Sequence, residues 1–208
     1  MKKEKYNELI MVIKRNNLFR GDDFQGFKGA EGINFQERIL NNYNYVKRGE
    51  AENCEELKQP IGYSVLVNRE GGVFAYQRAK NNDNYTEKRL QGKWSWGVGG
   101  HIDKQDDEGK NPIKASTMRE LREEVNVDGK IKKMGVLGYI NDDSDSVGRV
   151  HFGILYMVKI NGSVEANDNE ITNEGLRSVS ELKQIIDDES EDVEEWSKIA
   201  LELLEEIL

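Results

Sequence analysis

Apolar positions change rhythm along the chain, and the changes mark out its elements. Residues 63–68 alternate and are rich in β-formers, so they predict a strand. Glu70-Gly71-Gly72 turns the chain, and residues 73–78 predict the returning strand. Residues 93–97 predict a short strand that enters the turn Gly97-Val98-Gly99-Gly100. Loops are predicted over 81–88 and 101–110. Beyond the second loop the period becomes helical. Asn111 followed by Pro112 is a start signal, with Asn at the N-cap and Pro at the first helical position. The helix is predicted to end near Val125, with Asn126 as a left-handed cap residue. Strands are predicted over 132–140 and 150–160, around the acidic turn NDDSDSVG. A short helix starts at Ser178. A final amphipathic helix covers 193–208, with Trp196, Ile199, Leu203, Leu204 and Ile207 on or near one face. Strands, helix, strands, helix in that order make the fold class mixed α/β.

Upstream of Pro60 the pattern is looser. An amphipathic segment (Tyr6, Leu9, Ile10, Val12, Ile13) precedes a glycine-rich polar stretch over 20–32. A helix is predicted over 34–46, capped by Asn34. The chain therefore divides into an N-terminal extension, 1–59, packing on a main domain, 60–208. The extension's apolar residues suit either that packing or a homodimer interface. No internal repeat is visible.

Composition narrows the classes. A chain of 208 residues can bury an adequate core without staples. Cys54 is the single cysteine, which excludes an internal disulfide and a cysteine metal cluster. No apolar run approaches the ~18 residues of a membrane span. Acidic and polar residues interrupt the basic N-terminus, so it is not read as a signal peptide, and a cytoplasmic protein with no membrane partner is expected. The net charge is -9, with most of the excess acid after residue 161. There is no basic stripe, which disfavours nucleic acid as a partner. The acidic run DDESEDVEE is read as a solvated face.

The chemistry concentrates in residues 94–127. On a helix, Glu120, Glu123 and Glu124 fall within a ~100° arc. Arg119 flanks that arc, while Met118, Leu121 and Val125 form a separate apolar stripe. Like charges at these spacings repel by roughly 0.2–0.5 kcal/mol per pair. A cation among them turns that cost into a site, and oxygen ligands suit a hard ion such as Mg²⁺ or Mn²⁺. Two other readings fail. Gly97-Val98-Gly99-Gly100 lacks the third glycine of a dinucleotide fingerprint and leads into a loop. The acidic turn at Asp142-Asp143-Ser144-Asp145 lacks the EF-hand spacing.

Residues 100–127 resemble the Nudix box, in which a glycine leads through a loop to a helix carrying R-E-hydrophobic-x-E-E-x-G-hydrophobic. Arg119-Glu120-Leu121-Arg122-Glu123-Glu124-Val125-Asn126-Val127 matches except at Asn126, where glycine is usual. Between Gly100 and Arg119 the chain is about five residues longer than the usual box. The first box glutamate then has two counterparts, Asp106 by spacing from Gly100 and Asn111 by spacing from Arg119. The resemblance extends over residues 60–208 and is similar to a MutT-like branch of bacterial phosphoesterases.

The resemblance implies a Nudix-type α/β/α sandwich with a mixed β-sheet, plus the N-terminal extension. It implies a metal-dependent hydrolase that cleaves the diphosphate bond of a nucleoside diphosphate linked to another group. Glu120, Glu123 and Glu124, with the Gly100 carbonyl, would hold Mg²⁺ or Mn²⁺. Arg119 would orient a glutamate. The general base is open among Glu123, placed first, an acid of the enlarged loop (Asp103, Asp106, Asp107 or Glu108) and Glu174. Substrate-binding candidates are His101 after the glycine pair, His151 on the 150–160 strand, Trp96 and Arg78. For His151 and Trp96, core packing is the competing reading. An alternative is a catalytically silent Nudix-fold module that binds a nucleotide. Joint retention of Arg119, Glu120, Glu123 and Glu124 argues against it. Nothing in the sequence identifies the substrate.

Overall fold

A computed structural model describes residues 5–79, 90–109, 111–167 and 171–208; the loop expected over 81–88 lies outside them. The elements in chain order are β1 (Leu9–Lys14), α1 (Arg15–Phe19), β2 (Gly26–Gly29), α2 (Phe35–Leu40), β3 (Tyr43–Lys47), α3 (Arg48–Ala51), β4 (Leu57–Val67), β5 (Val73–Arg78) and β6 (Trp94–Ser95). There follow a 3-10 turn (Lys104–Glu108), α4 (Pro112–Glu124), β7 (Val125–Asn141), a second 3-10 turn (Gly148–Val150), β8 (His151–Ala166), β9 (Ile171–Arg177), α5 (Val179–Asp187) and α6 (Glu195–Ile207). The fold class is α/β, as expected. In the strand order β7 neighbours β2 and β8, β4 neighbours β8 and β1, and β5 pairs with β4, β6 and β9. The chain folds as two compact units. The first comprises Met1–Tyr63, Gly99–Glu120 and Val136–Leu155, and the second Ser64–Val98, Leu121–Gly135 and Tyr156–Leu208.

In the first unit, β1 pairs antiparallel with β3 from Leu9↔Lys47 to Ile13↔Tyr43, and with β4 at Ile13↔Lys58. Residues 26–29 of β2 pair with residues 138–141 of β7. Phe19, Phe24, Phe35, Tyr139 and Phe152 gather here, mostly edge to face, with centroids 4.9–6.2 Å apart. Such pairing adds about 0.5–1.5 kcal/mol per pair beyond burial. Lys58, fully buried, donates to Asp143 (2.8 Å) and to the carbonyls of Gly148 (2.8 Å) and His151 (3.1 Å). Burial lowers the Lys58 ammonium to about 8 against the pull of Asp143. Arg15 holds the same carboxylate. Burial alone would raise Asp143, but hydrogen bonds from Arg15 and Lys58 outweigh it and bring the group down to about 2.

In the second unit, β9 runs antiparallel along β5 from Val73↔Arg177 to Arg78↔Ile171, and β6 pairs through Tyr76↔Ser95. Ser178 and Glu181 form a reciprocal cap at the start of α5. Gly129 and Gly162 both have positive φ. A Cβ at either would sit within 1.8 Å of a backbone oxygen of the other strand. Only glycine lets β7 and β8 pass this closely.

The structure corrects several boundaries. The helix expected over 34–46 is capped by Asn34, whose Oδ1 accepts from the Glu37 N–H at 3.1 Å, but it stops at Leu40. Tyr43, Tyr45 and Val46 suit a pleated strand better than a helix and pair with β1. Strand β4 starts at Leu57, ahead of Pro60 rather than after it. Asn126 is not left-handed, because the chain passes from α4 directly into β7. Among the described residues, the non-glycine residues with positive φ are Arg20 and Asn173. Helix α6 starts at Glu195 rather than 193, since Val193 bridges to Trp94. Strands β2 and β9 were not predicted.

Candidate active site

Helix α4 starts where its sequence says it should. The Asn111 side chain accepts from the Lys114 N–H at 3.0 Å, which leaves Pro112 at the first helical position. Ile113 is buried, and Thr117 is buried with its hydroxyl bonded to the Ile113 carbonyl at 2.7 Å. Three glycines allow the helix to approach its neighbours in the first unit. A Cβ on Gly62 of β4 would lie 2.1 Å from Thr117 Oγ1, and one on Gly99 would lie 2.0 Å from the Gly62 carbonyl oxygen. A Cβ on Gly100 would lie 2.6 Å from the Glu120 carboxyl carbon. The Glu120 carboxylate thus rests directly against the backbone at Gly100.

Arg119 fixes that carboxylate. Its Nη1 donates to Glu120 at 2.6 Å, its Nε and Nη2 donate to Asp106 at 3.0 and 2.9 Å, and Nη2 also donates to the His101 carbonyl at 3.0 Å. A planar guanidinium with five donors can serve all of these at once, where a lysine could not. The Asp106 hydrogen bonds, with help from Glu120 and against burial, raise the guanidinium above its ordinary range, so it stays cationic. Asp106 is buried and also caps the turn that begins at Asp103, accepting from the Asp103 N–H at 2.8 Å. Burial raises Asp103, against the pull of Arg119. Of the two counterparts of the first box glutamate, Asp106 meets Arg119 while Asn111 caps the helix. The enlarged loop is a folded turn locked to α4.

Glu123 and Glu124 follow Glu120 on the same helix, three and four positions on, so the three carboxylates share its polar side. Glu123 is exposed and Glu124 half-buried. In the second unit the end of α4 is tied to the segment after β8. The Asn167 N–H donates to the Glu124 carbonyl at 2.8 Å, and the neighbouring Ala166 N–H donates to the Glu174 carboxylate at 2.5 Å. Glu174 is thereby linked to the end of α4 through two adjacent residues.

The substrate-binding candidates separate. His101 and His151 come together in the first unit, Nε2 to Nε2, at 3.3 Å. His101 Nε2 also lies 2.8 Å from Gln59 Oε1, and His151 Nδ1 lies 2.7 Å from the Val147 carbonyl. Burial first, then the Arg48 cation, lowers His101 well below its ordinary value, so the ring is neutral near pH 7. Trp96 is fully buried in the second unit and donates its Nε1–H to the Ser197 carbonyl at 2.6 Å. That corrects its assignment as a substrate platform, because the whole ring is enclosed; its competing core reading holds. Arg78 in the same unit pairs with Glu194 at 2.5 Å and lies over the Tyr76 ring at 5.4 Å. Sequence reasoning missed Glu52 and Gln59 beside the histidines. Both lie ahead of the recognised motif, in polar stretches without a periodic signal.

The donor set on α4 is all oxygen, and Arg119 holds one of the carboxylates in a fixed orientation. This suits a hard divalent ion. Comparison with known proteins identifies the family. The model of the NUDIX domain matches residues 58–199. The chain is 36% identical over 210 residues to Protein YmaB of Bacillus subtilis, an alignment that covers 97% of this chain and 99% of the relative. The crystal structure of Tm1382 superposes with a TM-score of 0.78 at 26% identity, over 97% of this chain and all of that one. The NUDIX domain of Shewanella oneidensis NrtR, complexed with ADP ribose, has a TM-score of 0.53 at 16% identity, over 72% of this chain and 88% of its own, which is a likeness of fold.

Proposed function

This chain belongs to the Nudix family of hydrolases, and on that premise we propose that it is a divalent-metal-dependent enzyme that cleaves the diphosphate of a nucleoside diphosphate linked to another group. One observation carries the reading. Arg119 is clamped between Asp106 and Glu120, and the Glu120 carboxylate rests on Gly100, at the start of a helix face that also bears Glu123 and Glu124. A surface helix with a merely solvated acidic face needs no such clamp.

Glu120, Glu123 and Glu124, with the Gly100 carbonyl, would hold Mg²⁺ or Mn²⁺. When bound, the ion neutralises charge on the diphosphate and acidifies a water. The chain's own groups do the rest. Arg119 keeps Glu120 in one rotamer by a charge-assisted hydrogen bond and does not touch substrate. Glu123, the most exposed of the three, takes the proton of the attacking water. The water oxygen bonds to one phosphorus, the bond from that phosphorus to the bridging oxygen breaks, and the bridging oxygen leaves with the other phosphate. Glu174 is the second candidate for the base.

The test is a panel of nucleoside triphosphates, dinucleoside polyphosphates, ADP-ribose, NADH and nucleotide sugars, each incubated with Mg²⁺ and with Mn²⁺. Release of a nucleoside monophosphate from at least one member is expected. Tight binding of a member with no turnover of any would overturn the hydrolase and leave a nucleotide-binding module.

A further inference from the structure

Besides the carboxylates of α4, the first unit holds a second convergence of metal-ligating atoms. Glu52 follows α3, His101 follows the glycine pair and bridges to Ile61 of β4, and His151 opens β8. One ligand atom from each lies within 4.8 Å of the other two. His101 Nε2 is 3.3 Å from His151 Nε2 and 3.7 Å from Glu52 Oε1. Tetrahedral zinc has bonds of about 2.0–2.1 Å, which place its ligands about 3.3–3.4 Å apart. The two imidazoles are already at that spacing, and the Glu52 carboxylate must close in from 3.7 Å on the His101 side.

Hydrogen-bond chemistry gives an independent reason. The Val147 carbonyl can only accept, so His151 carries its proton on Nδ1, and its Nε2 lone pair faces His101. A histidine that ligates a metal typically donates its other N–H to a backbone carbonyl in this way, which fixes both tautomer and ring orientation. Gln59, fully buried, turns its Oε1 to His101 at 2.8 Å and leaves its Nε2 buried without a hydrogen-bond partner among the described residues. A buried donor left without a partner is unfavourable. The amide therefore presents its oxygen to the cluster at a cost. Two ring nitrogens, a carboxylate oxygen and an amide oxygen converge. The Arg48 guanidinium, 3.4 Å from Glu52 Oε1, opposes a further cation, and the anionic Glu52 offsets it.

We propose that Glu52, His101 and His151 bind one divalent first-row transition ion of the zinc class, with Gln59 or water in the fourth position. The nitrogen-rich donor set distinguishes this site from the all-oxygen face of α4. Its role is structural. Glu52 lies ahead of the residues matched by the NUDIX model, and the His101 carbonyl is held by Arg119 and by Ser116 Oγ at 3.0 Å each. An ion there fastens the N-terminal extension to the loop that positions Gly100 and Asp106.

The full-length protein, stripped with a chelator and free of nucleotide, is titrated with Co²⁺ and separately with Zn²⁺. One equivalent of Co²⁺ with the visible absorption bands of a four-coordinate site is expected, together with a Zn²⁺-dependent rise in Tm. Glu52→Gln and His151→Gln should weaken binding at least tenfold, while Glu123→Gln should leave the bands unchanged. Absence of those bands from the wild-type protein overturns the proposal, whether or not the variants fold. Bands that survive both Glu52→Gln and His151→Gln, or that vanish in Glu123→Gln, also overturn it.

Discussion

At the scale of single residues, two adjacent glycines serve different ends. A methyl group on Gly99 would run into the Gly62 backbone oxygen, which cannot move without shifting β4. Gly99→Ala should therefore destabilise the protein by about 1–3 kcal/mol, read from urea unfolding. A methyl on Gly100 meets a side-chain carboxylate, which can swing away if Arg119 releases it. Gly100→Ala should leave unfolding nearly unchanged, while the Mg²⁺ concentration needed for half-maximal activity rises roughly tenfold or more. Arg119→Lys keeps the charge but loses the fork that reaches Asp106, Glu120 and the His101 carbonyl together. Its activity should fall roughly 10- to 100-fold, by the scale of metal-site supporting groups. The spacing of Arg119 and the three glutamates was legible in the chain because a helix fixes which residues share a side. Asp106 as the partner of Arg119 was one of two options by spacing, and only the folded turn at 104–108 decides between them. The pairing of His101 with His151 was not legible, since fifty residues separate them and no local pattern links them.

Elements were legible where they carry their own punctuation. Asn111-Pro112 opens α4, Asn34 opens α2, and the Ser178 and Glu181 pair opens α5. Asn111→Ala should cost about 1 kcal/mol, a drop in Tm of about 2–4 °C for a domain of this size. Endings were less legible. Helix α2 gives way to β3 because β1 offers a pairing edge, and nothing within residues 34–46 announces that edge. Asn126 stands where a capping glycine is usual, yet β7 begins at once and no left-handed residue is needed. Strands β2 and β9 are short and largely polar, so tertiary pairing and not alternation makes them strands.

For the molecule as a whole, the α/β class followed from element order, whereas the division into units did not, because strands β4, β7 and β8 pass through both. The buried Lys58, which holds Asp143 together with Arg15, is an anchor of the first unit that sequence gave no sign of. Asp143 titrates at about 2 when folded against an ordinary 3.8, so its contribution is complete above about pH 4 and is lost as pH falls toward 2. That contribution is of the order of 2 kcal/mol. Asp143→Asn leaves the Lys58 ammonium buried beside a neutral amide and should cost about 3–5 kcal/mol, with a flatter acid limb in the pH–stability curve. The proposed hydrolysis stands on the carboxylates of α4. It is tested most directly by the initial rate of nucleoside monophosphate release as a function of Mg²⁺ concentration, for the wild-type protein and for Glu120→Gln, Glu123→Gln and Glu124→Gln. No turnover without metal, saturation in the wild type, and at least a tenfold loss in each folded variant are expected. Metal-independent turnover, or three folded variants that match the wild type, would contradict it.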